Sequence, residues 1–450
     1  MTGRSLFGSW SRLRSVAAGG LVLLAVTLPV YLSGQPAEAA GGDLDPAFAN
    51  VPIEQWINGR EPSQIKWEPS VLPAVLAVEQ RLRARADIRL DGEEVTKRRG
   101  RGRLMTFIRF EDSQGRAYEA HNIMELKDVQ DKTDKLDFVI SQDAYVLPGE
   151  YQVSFAVLDT TTGEHSAARK TLRVNAIKND PLPAAWDGLP PVELVFNTST
   201  RTRRINVPLV SKRPLEVQLL VNMTPSLDKP SFRARPVPAD TVINGLVPVF
   251  RVLSQLSVPN GKYHVGVMSL TRRKVLLEQE LGPYGPGINW QQLGQAITDA
   301  DPNVIDVETL RDPGRDIEFF REQIRNVLDT PEGTSEAPQK VVIVLSPPFS
   351  SSGENAKPIE LESPTNARVY YLRRHVLPQL SMPGPVFVEQ RLGRGRRVDP
   401  AAMNTRMGYA EPYDTLDKVL KPLRPRIFDI YTPEDLRKAM ASIAEETGRM

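Results

Sequence analysis

The side chains best placed to do chemistry stand at the end of one apolar run. Leu215–Asp228 reads LEVQLLVNMTPSLD, in which Val217, Leu219, Leu220 and Val221 form a near-continuous apolar stretch. The chain then breaks into Asn222, Thr224, Pro225 and Ser226, turn formers with side-chain oxygens at three of the four positions. The first half has the pattern of a strand covered on both faces. A buried strand that ends in such a loop displays amide and hydroxyl groups where open α/β sheets bind ligands. Asn222, Thr224 and Ser226 are therefore candidate ligand-binding residues. Ser346, which follows the fully apolar run Val341–Leu345, displays a hydroxyl at another strand's end and is the fourth candidate. Hard cations need oxygen ligands that include negative charge, and none of the four residues supplies any. No metal and no cofactor is expected. The competing role for Thr224 or Ser226 is to cap the helix that follows.

Other chemistries are absent from the sequence. There is no cysteine, which excludes disulfides, thiolate metal sites and cysteine nucleophiles. No G-x-S-x-G elbow, phosphate-cradling loop or H-E-x-x-H helix occurs. His121, His165, His264 and His375 are scattered without metal-ligand spacing. No catalytic residue is assigned and no enzyme activity is expected. The Ser346–Ser352 stretch carries hydroxyls at a strand end with no base near it in sequence, and reads as a loop.

Two basic runs, Lys97–Arg103 (KRRGRGR) and Arg391–Arg397 (RLGRGRR), could attract phosphate or acidic polymers. Neither is interleaved with aromatics that would stack on bases, so both read as solvated loops and no nucleic-acid partner is expected. A net charge of +2 over 450 residues gives no global field towards nucleic acid or a membrane.

The elements that must position the candidates follow from periodicity. Arg4, Arg12 and Arg14 precede the apolar stretch Val16–Leu32, and Ala37-Glu38-Ala39 offers a cleavage site. Residues 1–39 read as a secretory signal peptide, the alternative being a retained anchor. The mature protein is then exported, periplasmic or extracellular, with no membrane span. Residues 40–70 form an extended segment in which Trp56 and Trp67 dock on a neighbouring surface. Residues 71–178 carry short alternating strands with turn signals, an immunoglobulin-like β-sandwich pattern. The alternation is strictest in Arg81–Leu90. Residues 179–191, with Pro181, Pro183, Pro190 and Pro191, read as a linker. Val192–Phe196 and Ile205–Val210 should pair as a hairpin. From 192 to 450, strands and helices alternate as in a doubly wound α/β sheet. Pro248 should kink a helix there or delay its start. Thr432-Pro433-Glu434-Asp435 should cap a final helix with Leu436, Ala439, Met440 and Ile443 inward.

Asn222-x-Thr224-x-Ser226 resembles the D-x-S-x-S that ends the first strand of von Willebrand factor type A (VWA) domains and holds a divalent cation there. The layout of signal peptide, sandwich and VWA-like domain is similar to the VWFA-related proteins of acidobacterial genomes. The resemblance implies a Rossmann-like, VWA-type fold for residues 192–450. It also implies a degenerate adhesion site, since Asn222 replaces the first carboxylate and Ser346-Pro347-Pro348 stands where a second is common. The expected function is that of a non-catalytic, exported interaction protein whose partner is another envelope or extracellular protein. The alternatives are an envelope-associated hydrolase and a self-assembling structural component of the envelope.

Overall fold

Alternating burial builds the first two sheets. The computed structural model describes residues 51–59, 62–100, 102–129, 136–196, 203–224, 239–282, 287–300, 314–328, 338–350, 357–361, 365–375, 386–390 and 414–450. A short helix α1 (Ile53–Gly59) precedes strands β1 (Trp67–Leu76) and β2 (Leu82–Asp91). In β2, Leu82, Ala84, Ala86, Ile88 and Leu90 are buried and the charged residues between them are not, as a half-wet strand requires. Helix α2 (Gly92–Lys97) leads to β3 (Arg103–Glu111), β4 (Ala117–Glu125), β5 (Leu136–Val146), β6 (Gly149–Asp159) and β7 (His165–Val174). The order β4-β3-β6-β7 makes a four-stranded antiparallel sheet. Helix α1 docks on it through Ile53, and Trp56 stacks on His165 with ring centroids 4.0 Å apart.

The other sheets use later chain. Strand β8 (Val192–Val195) pairs with β5, and β9 (Leu215–Asn222) is flanked by β10 (Gly261–Ser269) and β12 (Gln339–Ser346). Helix α3 (Ala239–Leu253), which includes Pro248, connects β9 to β10, and β11 (Lys274–Leu281) returns antiparallel. Helices α4 (Trp290–Ala300) and α5 (Arg315–Leu328) precede β12. Then come β13 (Arg368–Arg374), β14 (Val386–Gln390), α6 (Thr415–Leu420), β15 (Arg426–Ile430) and α7 (Pro433–Gly448). The six-stranded order is β11-β10-β9-β12-β13-β15, mixed because β11 alone runs antiparallel. A Cβ on Gly261 would stand 1.9 Å from the Leu215 carbonyl, so only glycine lets β10 begin this close to β9. One face of the sheet is buried under α3, α4 and α7, and the other under α5 and α6. Helix α7 opens with a complete capping box between Thr432 and Asp435.

This corrects the expected fold class. The described residues are built mainly of β-sheet, in three sheets, and do not resolve into an immunoglobulin-like sandwich followed by a doubly wound VWA-type domain. The five-stranded sheet, β1-β2-β5-β14 with β8 also on β5, draws strands from the beginning, middle and late parts of the chain. The expected hairpin does not form either. Val192–Val195 completes the edge of β5, while Ile205, Val207 and Leu209 bury themselves in the core beside β9. The proline-rich stretch after Lys178 is fixed by contacts. Asp180 binds Arg437, and the Trp186 indole Nε1 donates to the Gln80 carbonyl at 2.7 Å.

Candidate functional site

The carboxyl ends of β9 and β12 lie side by side at the point where the chain order of the sheet reverses, the usual ligand crevice of such sheets. Asn222 ends β9, and its Nδ2 donates to Ser346 Oγ at 2.9 Å. Its Oδ1 accepts the Thr224 backbone N–H at 3.0 Å, an Asx turn that stops the strand. Thr224 Oγ1 accepts the Leu270 N–H at 2.6 Å, tying this turn to the end of β10. Ser346 Oγ donates to the Pro347 carbonyl at 2.7 Å. Asn222 is 1% exposed, and Thr224 and Ser346 are fully buried. Three of the four candidate residues therefore meet, with their polar atoms committed to one another and to backbone. Ser226 lies outside the described residues.

A charged chain continues across β13 and β15. The Tyr371 hydroxyl, beside Ser346, donates to Asp414 Oδ2 at 2.9 Å. Asp414 caps α6 through the Leu416 N–H at 3.1 Å and approaches Arg373 Nη1 at 3.5 Å. Arg373 grips Asp429 with two nitrogens, Nε to Oδ1 at 2.6 Å and Nη2 to Oδ2 at 3.0 Å. His375 Nε2 lies 2.7 Å from the same Asp429 Oδ1, and its ring stacks on Tyr431 at 4.1 Å. Burial pushes the Asp414 carboxyl up from its ordinary value, against the Tyr371 hydrogen bond. Burial also holds the Tyr371 phenol well above its usual range, and Asp414 adds to that. The hydrogen bond from Arg373 holds Asp429 below the ordinary carboxylate value.

Chemically this arrangement is a clamp across the sheet edge. Asn222 Nδ2 and the Tyr371 hydroxyl each face an acceptor, and the Ser346 hydroxyl gives its hydrogen to a carbonyl rather than to a base. Sequence pattern does not reach Asp429, and it gives His375, one of four scattered histidines, no metal-ligand spacing. Two local signals mark Arg373, His375 and Asp414, and none marks Asp429. Arg373-Arg374-His375 puts three basic residues at a strand's end, and Asp414-Thr415 precedes the apolar positions Leu416, Val419 and Leu420 as a helix cap would.

The basic run Lys97–Arg103 is paired where it is described. Arg98 meets Glu94, Glu164 and Asp159, Lys97 meets Glu94, and Arg103 meets Glu125. Arg391–Arg397 lies outside the described residues. Among the described residues, no group of three or more acidic or histidine side chains could hold a metal ion. No helix among them is long and apolar enough to cross a membrane.

No protein-family model matches the chain, and no curated protein matches it. One solved structure, titled "X-ray structure of Northeast Structural Genomics Consortium target SoR45", is similar over 25% of this chain and 90% of that one. The identity is 11% and the TM-score 0.15, too low to carry an argument about fold.

Proposed function

We propose that this is an exported, non-catalytic protein-interaction protein, and that its partner is another envelope or extracellular protein. The observation that carries the reading is the Asn222–Ser346 hydrogen bond. A catalytic or small-molecule crevice offers convergent polar groups to its ligand. At this switch point the groups are out of water and bonded to one another.

What the same edge offers a partner is Tyr431, an aromatic 45% exposed. It is held nearly parallel to His375, at 10°, and Asp429 fixes that imidazole. A pre-ordered tyrosine loses little freedom on docking and is a frequent energetic anchor of protein interfaces. Export rests on the residues before 40, which have the charge, apolar stretch and cleavage pattern of a signal peptide.

The test compares the mature chain with Tyr431→Ser as bait in an envelope extract, with crosslinking and quantitative mass spectrometry. The reading expects a defined protein that is enriched by the first bait and lost by the second, with both baits melting alike. Turnover of an envelope polymer by the purified chain, abolished by Ser346→Ala, would replace it with the hydrolase.

A further inference from the structure

Strand β15 ends the six-stranded sheet, and among the described residues it pairs with β13 alone. One hydrogen bond tells which of its main-chain groups face outward. The His375 N–H donates to the Ile430 carbonyl at 3.1 Å, so Ile430 turns its N–H and C=O towards β13. These groups alternate along a strand, so Arg426 and Phe428 also face β13 while Ile427 and Asp429 face away. Each of those two residues carries an N–H and a C=O that β13 cannot pair. An open edge of this kind is a template for another strand.

Other sheet edges are guarded by features that β15 lacks. Strand β1 contains Pro69 and Pro73 and a bulge between Leu72 and Val75. Strand β7 meets the chain before β1, where the Gln64 N–H donates to the His165 carbonyl and the His165 N–H to Gln64 Oε1. Beside β11, the Gln279 side chain binds the Gly287 carbonyl and the Asn289 N–H. On β15 the charges that would repel a newcomer are already paired, Arg426 with Glu446 and Asp429 with Arg373.

The two ends of this edge differ in chemistry. Where β15 begins, Lys421, Arg424 and Arg426 are exposed, and exposed Arg368 lies with Arg426 near the Tyr370 phenol. Glu446 meets Arg426 and the Tyr370 hydroxyl, and among the described residues no ion pair joins Lys421, Arg424 or Arg368. This end is therefore positive. Where β15 ends, the main chain of Tyr431 is already bonded, its N–H to Asp435 at 3.2 Å and its carbonyl to Arg374 at 3.0 Å. What Tyr431 presents outward is its ring, 45% exposed.

We propose that the partner docks by strand addition. An extended acidic segment pairs with the outer edge of β15 at Ile427 and Asp429, its carboxylates towards Lys421, Arg424 and Arg426 and an apolar residue on Tyr431. The existence of a partner rests on the interaction reading above, whereas the receptive edge does not.

The probe is a short capped peptide of alternating glutamate and valine, with its lysine–valine counterpart as control. Binding to the purified protein is followed by calorimetry, and backbone pairing by hydrogen exchange in the fragment that contains Ile427 and Asp429. The glutamate peptide should bind and slow exchange there, and the lysine peptide should do neither. Ile427→Pro, which removes an outward N–H and no bond to β13, should abolish binding at an unchanged melting temperature. Lys421→Glu combined with Arg424→Glu, both at exposed positions, should weaken the glutamate peptide about tenfold. No binding of that peptide by the wild type, equal binding of the lysine peptide, or unchanged exchange would overturn the proposal. So would unchanged affinity in the doubly reversed variant, even if Ile427→Pro fails to fold. The envelope extract separates the two readings. A partner lost by Tyr431→Ser but kept by folded Ile427→Pro would overturn strand addition and leave the interaction reading standing. Peptide binding that Ile427→Pro abolishes, with no partner in the extract, would support the edge and overturn the interaction reading.

Discussion

Arg437 and Asp180, 257 positions apart in sequence, form a two-pronged ion pair in which the guanidinium is 1% exposed. Arg437 also donates to the Leu182 carbonyl at 2.8 Å and lies over the Trp186 ring at 4.7 Å. The pair thus fastens helix α7 to the proline-rich stretch before β8. Removing one partner of such a pair leaves an uncompensated buried charge, which costs about 3–5 kcal/mol. Asp180→Ala should lose about that much stability in urea unfolding, and Asp180→Asn, which keeps one acceptor, should lose less. A loss under 1 kcal/mol for Asp180→Ala, on the scale of surface pairs, would show that this contact is not a fastening.

The polar contact at the switch point has its own cost of removal. Asn222→Ala strands the Thr224 N–H and takes away the donor to Ser346, both out of water. Leaving a buried group unsatisfied costs about 1–3 kcal/mol. Denaturant midpoints for Asn222→Ala, Ser346→Ala and the double variant should show coupling, with the double variant losing less than the sum of the two single losses. Strict additivity would mean that the two side chains do not act as a pair.

Acid should expose two carboxylates working in opposite directions. Burial raises Asp414, so the folded state binds its proton more tightly than the unfolded chain does. Its contribution to stability is therefore full below the unfolded value, about 3.9, and is lost as pH rises through the folded one. Asp429 is lowered, chiefly by Arg373. Its contribution is full above the unfolded value and is lost as pH falls through the folded one. Urea unfolding across a pH series should show wild type losing ground against Asp414→Asn as pH rises from about 4. Asp429→Asn should remove part of the loss seen on the acid side. The reverse order of the two variants would contradict the assignment.

Local pattern reached some of this architecture, and partner choice lay beyond it. The apolar run of Leu215–Val221 identified a central strand because both faces of β9 are covered. The Thr432–Asp435 box identified the start of α7 because a cap is settled within four residues. Periodicity tells which face of a strand is buried and is silent about its neighbour. The hairpin expected of Val192–Phe196 with the chain just after it therefore gives way to pairing of Val192–Val195 along β5. The distant strand Val386–Gln390 joins the same sheet, and no local signal carries that. The oxygens of Asn222, Thr224 and Ser346 were visible as a set. Their mutual bonding was not, since it depends on how closely β9 and β12 approach. Arg373 and Asp429 are 56 residues apart and meet only once β13 and β15 are paired.

The central claim is that the Asn222–Thr224–Ser346 edge is closed by its own side chains and works without a divalent cation. The most direct measurement is the melting temperature of the purified protein in magnesium, manganese, calcium and chelator at matched ionic strength, because any ion bound only by the folded state must raise it. The account predicts one melting temperature in all four conditions. A cation-dependent rise that disappears in Ser346→Ala would contradict it.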